Sequence, residues 1–275
     1  MKKRAVLSVN LAVLLFGLAG LFAKWIRLPA IFITFGRVLF SSAALGIYML
    51  IRRQSFRIAR KDAALLIPAG GILALHWWSF LKAVQLSTVA VGTATFAAFP
   101  LFVTFLEPLV FRRKPDRRSI VTAVVILIGV LITVPEFSVE NRTFLGILTG
   151  LLSALSYAVL VILNKRAAGR MSGTVITFYE QAAAAAILLP FALSVKAQPS
   201  GQDLALLLFL GVVTTALAHT LFVSSLKTLP AQLAGICSSM ETVYGILFAF
   251  LLLGEVPAGR EIAGAAVIVG AVVIA

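Results

Sequence analysis

Residues 33–37 read Ile-Thr-Phe-Gly-Arg, and residues 176–180 read Ile-Thr-Phe-Tyr-Glu. The echo runs the length of the chain. Lys24 returns as Lys165, His76 as His219, Gly92 as Gly235 and Gly129 as Gly270, at offsets of roughly 141–143 residues. Each copy holds about five long apolar stretches, so the chain divides into repeats at 1–134 and 143–275. An odd number of spans per repeat turns the second copy upside down in a bilayer. Many secondary transporters build one midplane site with two alternating exits from inverted repeats of this kind. The expectation is an all-α integral membrane protein: ten transmembrane helices, arranged as two inverted five-helix repeats around a central cavity.

Composition points the same way. Apolar residues make up 61% of the 275, mean hydropathy is +1.06 and only 12% are charged, about half the usual share. A helix needs about 20 apolar residues to cross the ~30 Å hydrocarbon core. Spans are expected at roughly 5–25, 29–51, 62–82, 88–111, 119–134, 143–164, 173–194, 203–226, 231–253 and 261–275. The runs are continuous, not alternating, which favours helices over barrel strands. The last span is short and has no polar tail, which reads as a cut before the natural end.

The net charge of +14 raises nucleic acid as a partner, but the placement of the charges argues against it. Lys and Arg number 17 at one set of span ends, including Arg113 and Lys114, against 6 at the other, with Arg37 inside the membrane. By the positive-inside rule both termini are cytoplasmic. The basic start, Lys2-Lys3-Arg4, leads into a run too long for a signal-peptide core, so it reads as an uncleaved first helix. The single cysteine, Cys237, gives no disulfide framework, metal-ligand spacings are missing, and no phosphate-binding glycine loop precedes a Lys-Ser or Lys-Thr pair. No cofactor and no metal are expected.

Ionisable groups in hydrocarbon are costly and call for a reason. Five stand out: Arg37, His76, Glu180, His219 and Glu241, with Glu107 close enough to a span end to snorkel. Arg37 and Glu180 are repeat equivalents, each about 5 Å from the midplane by helical rise. They read either as a structural pair or as charges acting on a gate or substrate. His76 opens His76-Trp77-Trp78-Ser79-Phe80, where His76, Ser79 and Phe80 share a face. His76 and His219 read as cavity-lining groups or as satisfied core histidines. Glu241 lies mid-span with Cys237, Ser238, Tyr244, Gly245 and Phe248 on its side. It reads as a contact for a substrate amine, a carrier of a coupling proton, or a buried interhelical bond.

Span six adds Thr149, Ser153, Ser156, Tyr157 and Asn164; span four adds Thr88, Gly92, Thr95, Phe96 and Phe99. Small residues also serve close helix packing. Pro100 lacks a backbone donor and should bend span four near mid-membrane, as a hinge or a fixed kink. Spans five and ten carry almost nothing polar, which suits peripheral packing or a homodimer interface.

These features resemble the drug/metabolite transporter superfamily, in its EamA-type branch. The second half reads Glu241-Thr242-Val243-Tyr244, then Leu253-Gly254-Glu255; the first reads Phe99-Pro100-Leu101-Phe102, then Phe111-Arg112-Arg113. Thr242 and Arg113 depart from the family's Glu-Pro-Val and Leu-Gly-Glu patterns, whereas Lys24 and Lys165 follow its habit. The run His76-Trp77-Trp78 looks closest to bacterial aromatic amino acid exporters. The resemblance implies a large cavity among all helices but five and ten, and proton-linked or facilitated efflux of amino acids and related metabolites across the inner membrane.

No binding residue is carried over from the family. On position and polarity, the substrate contacts expected are His76, Trp78, Ser79, Phe96, Phe99, Tyr157, His219, Glu241 and Tyr244, with Arg37, Pro100 and Glu180 in gating or structure. Glu241 would meet an α-amine and His76 a carboxylate or side chain. Export of lipophilic cations is the alternative. Sugar-phosphate exchange lacks cavity cations, an intramembrane enzyme lacks a nucleophile motif, and a channel fits an inverted repeat less well than a carrier.

Overall fold

The computed structural model describes residues 2–112, 117–133 and 141–274. Arg113 and Lys114, counted above among the basic loop residues, and the end of span five at Val134 lie outside the described residues.

Continuous apolar runs fold as helices because lipid offers no partner for a backbone N–H or C=O. α1 (Lys2–Trp25), α2 (Ala30–Ile51) and α3 (Arg60–Leu86) are single helices. Span four is two, α4 (Val89–Phe96) and α5 (Phe99–Phe111). α6 (Arg117–Thr133), α7 (Arg142–Ala168) and α8 (Gly173–Ser194) follow. Span eight comprises α9 (Gly201–Gly211), a π-helical turn (Val212–Leu217) and α10 (Ala218–Ser225). Span nine is α11 (Ala231–Ser238) and α12 (Met240–Leu253), and α13 (Gly259–Ile274) closes the order. With the broken spans counted as continuous, eight helices among the described residues are long and apolar enough to cross a membrane. α6 and α13 are shorter and pack on each other.

Local chemistry sets several starts. Thr88, Ser172 and Asn141 accept from backbone N–H groups of the first turns they precede, and Ser200 with Asp203 forms a reciprocal capping box. Span four is interrupted, but the break falls at Ala97–Ala98, ahead of the expected bend at Pro100, which is the second residue of α5. Pro is tolerated in a first turn, where its missing N–H would be unpaired anyway. Span nine is interrupted at Ser239 with no proline nearby.

The two halves are interleaved. α2 packs on α8, α3 on α7 and α8, and α1 on α10 and α12. Two glycines allow close approaches to backbone carbonyls. A Cβ on Gly70 would lie 2.6 Å from the Glu180 carbonyl oxygen, and one on Gly211 would lie 2.9 Å from the Arg37 carbonyl oxygen. Arg37 and Glu180, equivalent in the sequence, are thus gripped in equivalent ways.

Candidate functional site

Near the breaks in spans four, eight and nine lies a cavity of about 20 Å³. Its walls are Phe16 and Ala19 of α1, Arg37 of α2, and His76, Trp77 and Phe80 of α3. Phe96 of α4, Tyr157 of α7, His219 of α10 and Glu241 of α12 complete it. α6 and α13 contribute nothing. That volume holds about one water, whereas drug-sized ligands occupy several hundred Å³. The large open cavity implied by the resemblance is therefore not seen in this conformation, because rings fill the space. His76 and Tyr157 lie 4.5 Å apart by ring centroids, Phe96 and Tyr157 5.4 Å, and Phe96 stacks on Phe99 at 5.2 Å.

Arg37 is 1% exposed. Its Nε donates to Thr215 Oγ1 at 3.1 Å, its guanidinium carbon stands 4.0 Å over the Trp77 ring, and its Nη1 has no hydrogen-bond partner among the described residues. The π-helical turn makes the first contact available. Thr215 Oγ1 donates to the Leu210 carbonyl five residues back at 2.7 Å, leaving its lone pairs toward Arg37. Wide turns of this kind recur at functional sites.

Arg37 and Glu180 do not pair. Glu180 Oε2 instead lies 3.1 Å from His219 Nε2 and accepts from Asn164 Nδ2 at 3.4 Å. Each has nearer partners, Thr215 and Trp77 for Arg37 and His219 and Asn164 for Glu180. Glu241, 6% exposed, follows the Ser239 interruption and has no hydrogen bond or ion pair to any described residue. His76 Nδ1 lies 3.1 Å from the Ser153 carbonyl oxygen and 2.8 Å from Ser153 Oγ. The carbonyl can only accept, so Nδ1 carries the proton and Nε2 is left as an acceptor. A neutral His76 with that tautomer has Nε2 left to accept from a side chain, and would need a second proton to meet a carboxylate.

Other assignments change as well. Trp77, not Trp78, lines the cavity; Trp78 is partly buried in the surrounding packing. Ser79 is fully buried, and its hydroxyl donates to the Leu75 and His76 carbonyls of its own helix. Phe99 is a second layer behind Phe96, and Pro100 follows it against Gly235. Tyr244 packs on α1, where a Cβ on Gly17 would lie 2.6 Å from its own. Phe16, Ala19 and Phe80 are walls not predicted. Phe80 was legible from its spacing to His76; α1, apolar on all sides, offered no signal. Thr242, the departure from the family pattern, donates to the Thr93 carbonyl at 3.0 Å and ties α12 to α4.

Both ends of the assembly carry matching ties. At one, Lys24 Nζ donates to the Ser87 carbonyl at 2.7 Å, and Glu255 Oε2 accepts from Val89 N at 3.0 Å. At the other, Lys165 Nζ donates to the Leu226 and Leu229 carbonyls at 2.7 and 2.8 Å, and Glu107 accepts from Gln232 N at 3.2 Å. Glu107 therefore caps a helix start instead of snorkelling. Arg170 and Asp62 pair at 2.9 Å at that second end. Among the described residues no cluster of His, Cys, Asp and Glu could hold a metal ion.

Comparison with known proteins gives a consistent picture. The model of the EamA-like transporter family matches residues 3–134 and again residues 144–275. An uncharacterized transporter of Archaeoglobus fulgidus is 28% identical over 98% of this chain and 94% of its own. An S-adenosylmethionine uptake transporter of Rickettsia felis is 25% identical over 89% of this chain and 82% of its own. A solved crystal structure superposes with a TM-score of 0.78 at 18% identity, covering 100% of this chain and 96% of the other, and shares the fold.

Proposed function

The chain belongs to the EamA-like transporter family, a multi-pass membrane transporter and not an enzyme, and from that premise we propose that it exports amino acids, aromatic ones above others, across the bacterial inner membrane. The observation that carries the reading is the central cavity. Rings from α3, α4 and α7 surround a buried carboxylate, Glu241, contributed by the other end of the chain. Aromatic walls suit an aromatic side chain, and a buried acid suits an amine. Relatives named for S-adenosylmethionine uptake support the class, since that compound is itself an α-amino acid bearing an aromatic base. Direction would follow the gradients and not the fold.

Transport would proceed by alternating access between two inverted five-helix repeats, ten spans in all. Support comes from features that occur in pairs. Lys24 and Lys165 tie equivalent turns, Gly70 and Gly211 grip equivalent carbonyls, and spans four and nine are both interrupted. Glu255 and Glu107 hold the starts of α4 and α11 at opposite ends, so releasing one and keeping the other would open one exit at a time. The excess of basic residues supports a cytoplasmic position for the Glu107 end and both termini. The outward faces of α6 and α13 would carry a homodimer contact if one forms.

Uptake into liposomes reconstituted with the purified chain tests the reading, with labelled tryptophan, phenylalanine, threonine and a lipophilic cation, with and without a pH gradient. Saturable amino acid flux, abolished by unlabelled amino acid, is expected. Flux of the cation alone would replace this reading with that of a drug exporter.

A further inference from the structure

The central cavity has two buried ionisable groups of opposite sign that face each other without closing into an ion pair. Arg37 and Glu241 both line it, one from α2 and one from α12, yet they form no ion pair. Leaving two such charges apart in a low-dielectric interior is costly. The other buried acid does not relieve the cost, because Glu180 is engaged by His219 and Asn164. Arg37 is also held in place. Thr215 fixes its Nε edge and Trp77 covers one face, which leaves the buried Nη1 unpartnered at the cavity wall. A guanidinium fixed in this way is preorganised for a carboxylate and loses little freedom on binding.

We propose that Arg37 and Glu241 together read the zwitterionic head of an α-amino acid, the carboxylate on Arg37 and the ammonium on Glu241. This rests on the amino acid reading of the cavity and makes it narrower: the substrate must carry both charges, close together. A lone cation would satisfy Glu241 and leave Arg37 uncompensated; a lone anion would do the reverse. The penalty for the unpaired charge is what discriminates. Arg37 thereby moves from a gate or helix lock to a substrate contact, and takes the carboxylate that a neutral His76, with Nδ1 committed to Ser153, cannot hold.

Competition in proteoliposomes containing the full chain tests this. The competitors are tryptophan, tryptophanamide, which lacks the carboxylate, and indole-3-propionate, which lacks the amine. Tryptophan should compete about tenfold or more better than either analogue, the factor that one charge-assisted contact carries. Arg37→Gln should erase its advantage over the amide, and Glu241→Gln its advantage over the propionate. Thr215→Val keeps both charges and removes the hydroxyl that aims Arg37, together with its bond to the Leu210 carbonyl; it should shift the same ratio as Arg37→Gln by less, and it decides the matter if Arg37→Gln fails to fold. Equal weakening of tryptophan and tryptophanamide by Arg37→Gln and Thr215→Val, or of tryptophan and indole-3-propionate by Glu241→Gln, would overturn the proposal while saturable tryptophan flux persisted. A wild-type protein that does not distinguish tryptophan from its amide would overturn it too. Absence of amino acid competition altogether would bring down the amino acid reading, and this inference with it.

Discussion

Glu255 accepts a hydrogen bond from the Val89 backbone N–H at 3.0 Å, so a carboxylate beyond the end of the ninth span holds the start of the fourth. Burial pushes the Glu255 carboxyl above its ordinary value, the Val89 N–H and Lys24 pull it back, and Glu261 pushes it up again. Release into water would return it to the ordinary value. The closed contact therefore binds its proton more tightly. Its stability is full below the usual carboxylate range and is lost as pH rises through the raised value. Hydrogen exchange at Val89, corrected for intrinsic rate, should lose protection over that window. Glu255→Gln should flatten the profile; an unchanged profile would mean that Glu255 does not control this contact.

Glu107 plays the matching part for Gln232 on α11, the helix that also carries the lone Cys237. Removing a helix cap costs ~1 kcal/mol. Glu107→Ala should then speed alkylation of Cys237 from the Glu107 face by about fivefold, the factor that energy carries. A membrane-impermeant maleimide provides the measurement, and Glu255→Ala should not raise that rate.

His219 and Glu180 form a pair that is 1% and 0% exposed. Removing one partner of a buried pair typically costs about 3–5 kcal/mol. His219→Ala should sharply lower the thermal midpoint in detergent. Adding Glu180→Gln should recover part of the loss, because it removes the stranded acid. Additive losses would show that the two do not act together.

Gly70→Ala would put a methyl 2.6 Å from both the Ala183 Cβ and the Glu180 carbonyl, neither of which can turn away. Overpacking of this kind costs about 1–3 kcal/mol. Gly201→Ala meets nothing within 4 Å and is the matched control. Thermal midpoints should fall for the first and hold for the second.

Arg112 ends α5 in the left-handed region at φ 51, where the second half ends α12 with Gly254 at φ 65. A side chain there costs about 1 kcal/mol. Arg112→Gly should raise the thermal midpoint slightly, and Gly254→Arg should lower it.

Hydropathy made the spans readable because each is a long uninterrupted run, and the costly intramembrane charges drew attention to Arg37, His76, His219 and Glu241, all of which reach one cavity. What failed was side-chain direction. The choice between Trp77 and Trp78 depends on the azimuth of α3, which the neighbours α7 and α8 fix and the sequence does not state. Symmetry was misleading for Arg37 and Glu180, since equivalent places in the sequence did not make them neighbours and each found other partners. Tyr244 shares a helix with Glu241 but turns to Gly17, a contact dictated by the absence of a side chain on another span.

The wide turn at Val212–Leu217 has a consequence for reading any chain of this kind. One additional residue in a turn advances everything after it by about 100° around the axis. A helical wheel drawn through 201–225 at uniform pitch therefore puts His219 on the wrong side of Leu210, and a single-residue deletion in the turn would swing His219 away from Glu180 while leaving hydropathy untouched. Span eight has a phase as well as a length, and only the phase decides which side chains meet.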